Sequence, residues 1–449
     1  MQILEYAIVA LFSLSFLIFF HEGGHFAVAK LFRFPVEVFS LGFGKRLFGF
    51  RRKETDYRVS MIPLGGYVKV VGLGPDESDV VEGASAPAPT TMGPRWQRLL
   101  ILFAGPAVNL VLAVALTAGA FLVGREVPKY KGEAPVVTVV DPGSPAEAAG
   151  ILAGDRILTL RGKPVSTWEE VQIQLALASG ERIAVGVERA GQRLSLEIVP
   201  TPKTKEQKTY DIGYTGLNPH VPAVVHTVVK GYPGEKAGLK VGDRIVSIDG
   251  KPVVLYFQVV HQIKEATAGF EKTGSRALEV VVERDGSRLT LPIVPRKEGD
   301  AWKIGFTPFY ETVRVRLGLA AAVVASWNET VQQARLTFTT VGRMLQLKGS
   351  VRQLSGPIDI AKFSGEAARA GLGEYLGFIG MLSLQLGLLN LLPIPLLDGG
   401  QILILLLESA ARRDFSLKLK ERLLQAGFVF LVLLMVTVLA FDVLKNLGM

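Results

Sequence analysis

The stretch "LEYAIVALFSLSFLIFFHEGGH", residues 4–25, decides the architecture of this chain. Its apolar part has nearly the length of a bilayer-spanning helix, and two histidines with a glutamate follow it directly. On a helix, residues four apart lie on one face, so His21 and His25 can direct imidazole nitrogens at one metal ion, with Glu22 beside it. This is the HExxH spacing of zinc hydrolases. The alternative is a histidine pair that forms hydrogen bonds in a polar cavity.

The composition fits a membrane protein of several domains. The chain has 449 residues, 49% of them hydrophobic, and its mean hydropathy is +0.33. Cysteine is absent, which excludes disulfides, thiolate metal ligands and cysteine nucleophiles. The net charge is +9, but the basic residues cluster beside apolar segments, so no nucleic-acid partner is predicted.

Four membrane spans are predicted, near residues 4–28, 99–123, 375–408 and 424–444. Lys and Arg are concentrated between the first two spans and in the short loop "ARRDFSLKLKER" between the last two. The positive-inside rule therefore predicts that both loops are cytoplasmic. The two termini and the segment from about 125 to 374 are then predicted to lie outside.

The outer segment contains an internal repeat. "VVDPGSPAEAAGILAGDRILTLRGKPV" and "VVKGYPGEKAGLKVGDRIVSIDGKPV" align closely, which predicts a duplicated β-rich module. Both copies resemble the PDZ fold of bacterial envelope proteases. The loop "DIGYTGL", assigned here to the second copy, is predicted to hold a peptide carboxylate. Its candidate residues are Ile212, Gly213, Tyr214, Thr215, Gly216 and Leu217. The alternative is that both copies are spacers without a ligand.

A catalytic zinc site needs a third protein ligand besides the two histidines. Asp398 in "NLLPIPLLDGG" is the only acidic residue between Glu374 and Glu408, so it stands alone inside the third predicted span. Both motifs fall in the cytoplasmic half of the bilayer if each span is helical. The prediction is one zinc ion per chain on His21, His25 and Asp398. The alternative role for Asp398 is a helix cap after the proline break.

The stretch "YRVSMIPLGGYVKV", residues 57–70, is predicted to form a β-hairpin around a Pro-Leu-Gly-Gly turn. "LGFG", residues 41–44, is expected in the same sheet. A free edge of this sheet could pair with an unwound substrate; the alternative is a plain cytoplasmic hairpin. The candidate substrate-binding residues are Tyr57, Val59, Met61, Gly66, Tyr67 and Val68. Asn390 is a candidate to hold the substrate backbone or the oxyanion, whereas Asn109 is expected to pack helix against helix.

The combination of HExxH in the first span, "FAGPAVN" in the second, "NLLPIPLLDGG" in the third and a PDZ tandem between them resembles the site-2 protease family of intramembrane metalloproteases. The resemblance implies zinc on the three predicted ligands and Glu22 as the catalytic base. It also implies a bacterial inner membrane, a periplasmic PDZ tandem, and single-pass membrane substrates already trimmed outside, such as anti-sigma factors and signal-peptide remnants. One departure is Gln401, where the family often has His after the DGG motif.

The predicted fold class is therefore a polytopic α-helical membrane protein with four transmembrane helices, an intramembrane β-hairpin region and two tandem PDZ domains. The predicted segments are residues 1–30 with HExxH, 31–98 with the re-entrant β region and a disordered acidic loop, 99–124 as the second span, 125–202 and 210–297 as PDZ domains, 311–350 as amphipathic surface helices, 375–409 with LDGG, and 424–445. The predicted function is an intramembrane zinc endopeptidase that contacts the lipid bilayer, its substrates and a possible PDZ ligand. The alternatives are a membrane-anchored PDZ scaffold with a non-catalytic zinc site, and a zinc transporter, which would need ligands across the whole bilayer.

Overall fold

The computed structural model describes residues 2–73, 93–202, 213–270, 274–298, 301–345 and 356–446. The chain divides into two compact units. The membrane unit comprises Met1–Arg125, Val315–Gly342 and Val351–Met449, and the repeat unit comprises Glu126–Arg314 and Arg343–Ser350. Three predicted features lie wholly or mostly outside the described residues: the disordered acidic loop "PDESDVVEGASAPAPTTMG", a polar linker "TPKTKEQKTY" between the two copies, and the loop residue Ile212.

The membrane unit begins with helix α1, Gln2–Leu31, which contains the first candidate span, Leu4–Leu31. A β-sheet follows, formed by β1, Val36–Arg52, and β2, Thr55–Val70. The sheet packs on the last turns of α1 through buried apolar side chains. These are Ala29, Phe34, Val36, Phe39, Val68, Val70 and, from the next helix, Ile101. The HExxH motif therefore lies inside α1, next to this sheet, and not at the helix end.

The register of the sheet corrects the predicted hairpin. Residues 38–41 of β1 pair with residues 66–69 on one side and with residues 56–59 on the other. The two runs of the predicted hairpin therefore do not pair with each other, because the first part of β1 lies between them. Phe39 and Ser40 of this part are buried, and Ser40 forms a hydrogen bond to Ser60 with an Oγ–Oγ distance of 2.9 Å. Neighbours on both sides shield it from water.

Helix α2, Arg95–Val123, is the second candidate span and packs along α1. Small residues allow the two backbones to approach closely. A Cβ placed on Gly24 would lie 2.6 Å from the carbonyl oxygen of Ala104, and one placed on Gly105 would overlap the ring of His25. The motif "FAGPAVN" thus supplies a surface that accepts the HExxH face of α1.

The repeat unit contains two copies with the same strand order. Strand β3, Arg125–Pro128, precedes the first copy and pairs with the strand Thr312–Val315. The elements of the first copy are α3, Lys129–Gly132; β4, Val139–Val140; α4, Pro145–Ala148; β5, Arg156–Leu160; β6, Lys163–Pro164; α5, Trp168–Ala176; β7, Ile183–Arg189; β8, Gln192–Ile198; β9, Thr201–Pro202; β10, Gly213–Tyr214; and β11, Leu217–Asn218. Its main sheet has the order β6-β5-β7-β8.

The second copy repeats this arrangement. Its elements are β12, Val225–Val228; α6, Pro233–Lys236; β13, Arg244–Ile248; β14, Lys251–Pro252; α7, Tyr256–Ala266; β15, Leu278–Arg284; β16, Ser287–Ile293; β17, Arg296–Glu298; β18, Ala301–Lys303; and β19, Phe306–Pro308. Strand β20, Thr312–Val315, follows. The main sheet has the order β14-β13-β15-β16, and each copy has its own buried apolar core.

The Gly-Asp pair of each repeat has a structural role. Asp155 is fully buried and accepts hydrogen bonds from Nε of Arg189 at 2.7 Å and from the backbone N–H of Leu152 at 2.9 Å. Asp243 and Arg284 form the equivalent pair in the second copy. Burial alone would raise the pKa of Asp155, but the hydrogen bonds from Arg189 and Leu152 hold that pKa below its usual value.

The structure corrects the assignment of the loop "DIGYTGL" to the second copy. Leu217 belongs to the apolar core of the first copy, and β11 pairs with β4. The second copy has its own counterpart, β19, which pairs with β12. Gly216 and Gly305 are equivalent, with φ of +78° and +86°, and their carbonyls accept from the backbone N–H groups of Asp141 and Val229. The first copy therefore extends to about residue 218.

The chain returns to the membrane unit with five helices, α8, Leu319–Leu345; α9, Pro357–Ala370; α10, Leu372–Asn390; α11, Asp398–Ala411; and α12, Leu417–Asn446. The described part of the predicted surface segment 311–350 includes α8, which exposes Trp327 and Phe338. The third and fourth candidate spans are Leu372–Asn390 and Lys418–Val443.

The predicted continuous span 375–408 is interrupted. Helix α10 ends at Asn390, and α11 begins at Asp398 as a separate helix. Pro393 and Pro395 lie in the intervening segment, where each lacks the N–H that a continuing helix needs. Asp398 is therefore the first residue of a helix and not a residue in the middle of one.

Candidate active site

The two histidines and the glutamate of the HExxH motif lie on the buried side of α1. His21, Glu22 and His25 are each less than a tenth exposed. The imidazole rings of the histidines are 4.9 Å apart between centroids and nearly perpendicular, and their Nε2 atoms are 3.4 Å apart. The i, i+4 spacing thus directs both Nε2 atoms to one point, as expected from the sequence.

Asp398 reaches the same point from α11. One carboxylate oxygen lies 3.2 Å from Nε2 of His21, and the other lies 3.4 Å from Nε2 of His25. The alternative role of Asp398 as a helix cap is not observed, because the N-cap of α11 is Leu397 and no side chain caps this helix. The ligand atoms of His21, His25 and Asp398 lie within 4.8 Å of one another, which is close enough to hold a metal ion. No other such His/Asp/Glu group occurs in the described part of the chain.

His25 is held by α2. Its Nδ1 lies 2.8 Å from the backbone carbonyl oxygen of Ile101, and a carbonyl can only accept, so Nδ1 carries the hydrogen. The lone pair of His25 is then on Nε2, the atom that faces Asp398. Gly105 leaves room for the ring from the other side, because any larger residue would overlap it.

Asn109 makes a more specific contact than the predicted packing of helix against helix. Its fully buried amide nitrogen lies 3.1 Å from Nδ1 of His21 on α1. Its amide oxygen is buried without a hydrogen-bond partner. Exchanging the amide O and N by rotation of the side chain lets Nδ1–H of His21 donate to the amide oxygen. That arrangement satisfies both groups and leaves Nε2 of His21 available to a metal.

A signal for Asn109 was present in the motif "FAGPAVN". Asn109 lies four residues after Gly105, so the two residues share one face of α2. Gly105 contacts His25, and the same face must therefore meet α1 near His21. The contact of Asn109 with His21 becomes visible only once the packing of α1 on α2 is known, since hydropathy alone does not show which face of α2 is turned to α1.

Asn390 is the last residue of α10, and its amide nitrogen lies 3.0 Å from Nε2 of His21. A cavity of about 380 Å³ connects it with Glu22 and with the three convergent residues. Apolar side chains from several elements complete the lining, among them Leu14, Ile18, Phe43, Leu102, Leu386 and Leu396.

The candidate hairpin residues divide into two groups. Gly66, Tyr67 and Val68 line the cavity, and a Cβ placed on Gly66 would lie 3.1 Å from Cγ of Glu22. Tyr57, Val59 and Met61 are not part of the lining. Val59 pairs with both Leu41 and Phe48 inside the sheet, the ring of Tyr57 packs on aromatic rings, and Met61 is exposed.

Comparison with known proteins now identifies the family. Residues 9–434 match the family described as peptidase family M50. The chain belongs to peptidase family M50. It is 32% identical over 444 residues to Regulator of sigma-E protease RseP from Escherichia coli (strain K12), covering 94% of this chain and 95% of that protein. It is 31% identical over 449 residues to Protease RseP from Yersinia pestis, with coverages of 94% and 95%.

A Neisseria meningitidis serogroup A protein whose name assigns it to the zinc metalloproteases is 33% identical over 453 residues, covering 98% of each chain. The chain is therefore a zinc-dependent metalloprotease, and the scaffold and transporter alternatives are set aside. Its four candidate spans and its similarity to RseP make it a multi-pass inner-membrane protein.

Proposed function

We propose that His21, His25 and Asp398 hold one zinc ion per chain in an intramembrane endopeptidase that cleaves single-pass membrane proteins after their outer domains have been trimmed. The observation that carries this proposal is the convergence of two imidazole nitrogens and one carboxylate within 4.8 Å, in a cavity between candidate membrane helices. The relatives named regulator of sigma-E protease suggest anti-sigma-factor-type substrates.

The donor set suits zinc. Two histidines and one carboxylate match catalytic zinc sites, which have three protein ligands and a fourth, open position. The carbonyl of Ile101 and the amide of Asn109 would orient the two imidazoles, as outer partners do in zinc proteins. Zinc bound there would supply a water of lowered pKa and polarise the substrate carbonyl.

Glu22 is proposed as the catalytic base. It follows His21 directly and lines the same cavity with little exposure to solvent. Its carboxylate would accept the proton of the attacking water and return it to the amine of the leaving peptide. Asn390 is proposed to donate from its amide nitrogen to the developing oxyanion, since this nitrogen lies beside the proposed zinc ligand His21.

The edge of the sheet formed by residues 66–70 is proposed to bind unwound substrate as an added strand. A transmembrane helix hides its carbonyls in backbone hydrogen bonds, and opening them in lipid needs replacement partners. In the described residues this edge pairs with a strand on one side only. The N–H of Val71 donates to the carbonyl oxygen of Pro35 on that side. The backbone N–H and C=O groups of successive strand residues point alternately to the two sides of the strand. Gly66 and Val68 therefore direct their backbone groups to the unpaired side. This part of the strand borders the catalytic cavity, because Gly66, Tyr67 and Val68 all line it.

The orientation in the membrane and the role of the repeat unit belong to the same proposal. The basic loops support a cytoplasmic position for the residues between the first two spans. The repeat unit would then be periplasmic, where its two copies, proposed as PDZ domains, would exclude substrates with bulky outer domains. Gly213–Leu217, if they hold a peptide terminus, would do so as part of the first copy.

A single comparison tests the enzymatic proposal. Wild type and Glu22→Gln are reconstituted in vesicles with a model transmembrane peptide, and zinc content and cleavage are measured on the same samples. We expect one zinc per chain in both proteins and cleavage by wild type alone, because the ligands survive and the base is lost. Equal cleavage by Glu22→Gln would exclude Glu22 as the base, and absence of zinc from active wild type would exclude the ligand set.

The strand-addition proposal is tested with Val68→Pro, with Val68→Ala as the matched control. Proline removes an N–H that the sheet does not use, so the fold should tolerate it at this edge. We expect Val68→Pro to slow cleavage of a substrate with a stable helix and to slow a Gly-containing, unstable helix much less. Val68→Ala should cleave both like wild type. Wild-type cleavage of the stable helix by well-folded Val68→Pro would refute strand addition.

A further inference from the structure

Three charged residues are buried together at one end of the membrane unit. Glu408 of α11 is fully buried, Arg98 of α2 is 2% exposed and Lys420 of α12 is 7% exposed. One carboxylate oxygen of Glu408 accepts from Nζ of Lys420 at 2.7 Å and from the backbone N–H of Phe415 at 2.7 Å. Glu408 thereby connects α11 to the start of α12 and to the loop between these helices.

This cluster borders the catalytic cavity. A small cavity of about 30 Å³ lies among Arg98, Glu408, Lys420 and Gln401, and it is large enough for a water molecule. Gln401 also lines the catalytic cavity, as do Leu73 and Leu102. The second oxygen of Glu408 is buried without a hydrogen-bond partner from the described residues. The cluster is therefore continuous with the first turn of α11, where Asp398 lies.

Buried ion clusters are poor devices for stability, because desolvation of the charges offsets their attraction. Their best-attested use is to fix one arrangement of packed elements against others. Helix α11 needs such fixing, since the proline-containing segment 391–397 separates it from α10. The two histidines, by contrast, are held by close contact between α1 and α2. The position of Asp398 relative to them depends on how α11 docks on α2.

We propose that Glu408 is a positioning residue for the third ligand: its contacts with Lys420 and Phe415, beside Arg98, dock α11 on α2 and α12 and so set the distance between Asp398 and the histidine pair. This inference rests on the proposed zinc site. It predicts that loss of Glu408 displaces α11 while leaving the α1–α2 contact unchanged.

The absence of cysteine allows site-specific spin labels to measure this displacement directly in the full-length protein. One labelled pair, Leu100→Cys on α2 and Leu406→Cys on α11, reports the docking of α11, and both sites are exposed. A second pair, Phe12→Cys on α1 and Phe103→Cys on α2, reports the histidine side. We expect Glu408→Ala to broaden the first distance distribution and to leave the second one unchanged. An unchanged first distribution would refute the proposal.

Zinc affinity supplies the second readout, measured by chelator competition. We expect Glu408→Ala to bind zinc at least about tenfold more weakly, the range seen when outer partners of a ligand are removed. Glu408→Gln, which can still accept from Phe415, should lie between Glu408→Ala and wild type, and it serves alone if Glu408→Ala does not fold. The control is Glu421→Gln, which removes an exposed carboxylate next to Lys420 and should not change zinc affinity.

Zinc binding by wild type separates an error in the proposed zinc site from an error in the proposed role of Glu408. If wild type binds no zinc, the proposed site itself is wrong, whatever Glu408 does. If wild type binds zinc tightly and both Glu408 variants bind it equally well, the site stands and the positioning role of Glu408 is refuted.

Discussion

The histidine side and the aspartate side of the candidate site reach the same point with different kinds of support. His21 and His25 lie in the C-terminal half of one long helix, and a second long helix contacts both rings through Ile101, Gly105 and Asn109. Asp398 begins a short helix after a proline-containing break. Backbone contact between α1 and α2 thus fixes the histidines, whereas the carboxylate depends on the docking of α11.

This difference suggests which side can move. An i, i+4 pair on one helix keeps its spacing in any orientation of that helix. A ligand on a separate short helix changes its distance whenever that helix shifts. The metal site is therefore expected to be preformed on the histidine side and adjustable on the aspartate side.

The largest expected effect is the loss of a proposed ligand on either side. His25→Ala and Asp398→Ala should each weaken zinc binding by more than the roughly 100-fold that loss of an outer partner causes, because two ligands hold the ion poorly. Zinc affinity by chelator competition and cleavage of a model membrane peptide are the measurements. If either variant retains wild-type zinc affinity, that residue is not a ligand and the comparison between the two sides must be redrawn.

The same contrast between contacts within one helix and contacts between helices explains which site residues the sequence predicts. His21, Glu22 and His25 were predictable because their relation is local to one helix. Asp398 was predictable as the single acid of an apolar stretch, and Pro393 and Pro395 predicted a break before it. Hydropathy alone averages over these prolines and predicts one span across 375–408. Asn109 was predicted to pack helix against helix, but its partner His21 was not predicted, because that partner lies on another helix.

The register of the β-sheet and the boundaries of the two repeats also depend on contacts between residues that are distant in the sequence. The runs 57–60 and 66–70 resemble the two arms of a hairpin, and nothing local reveals that residues 38–41 lie between them, since pairing is decided by long-range burial. The two copies align in sequence only over their most similar segments. The equivalence of Gly216 and Gly305 lies beyond those segments, so sequence similarity does not show that residues 213–217 belong to the first copy.

The next effect tests the rigidity of the histidine side. Gly105→Ala should weaken zinc binding by about tenfold to 100-fold, because the added methyl group overlaps the ring of His25 and forces it out of place. Gly119→Ala is the matched control on the same helix, where an added Cβ meets only an ordinary contact with Leu376. Wild-type zinc affinity for Gly105→Ala, with the fold intact, would mean that the α1–α2 contact does not hold the ring.

A smaller effect is expected for Asn109, which orients His21 without touching the metal. Asn109→Ala should weaken zinc binding by about tenfold. Asn109→Asp separates the two amide orientations, because its carboxylate can accept the hydrogen of Nδ1 but offers no N–H. Near-wild-type affinity for Asn109→Asp would support the amide oxygen as the partner of His21. Affinity as low as that of Asn109→Ala would assign this role to the amide nitrogen.

No change in zinc affinity is expected from substitution of Asp155, a buried carboxylate outside the membrane unit. Asp155 forms a salt bridge with Arg189 in the repeat unit. Its role is therefore structural, whereas Asp398 is a proposed metal ligand. Asp155→Asn should lower the free energy of unfolding of the repeat unit by about 2 kcal/mol at neutral pH, since a charged hydrogen bond is lost. The folded pKa of Asp155 is depressed, so its contribution to the free energy of unfolding is present above the unfolded pKa of about 4 and declines as the pH falls through the folded value.

Urea unfolding of the full-length protein, followed through the repeat unit at pH 7 and again below pH 4, measures the difference in the free energy of unfolding between wild type and variant. The difference should shrink at the lower pH while zinc affinity at pH 7 stays at the wild-type value. A loss of zinc affinity in Asp155→Asn would show that the buried acids of the repeat unit do more than stabilise their own fold.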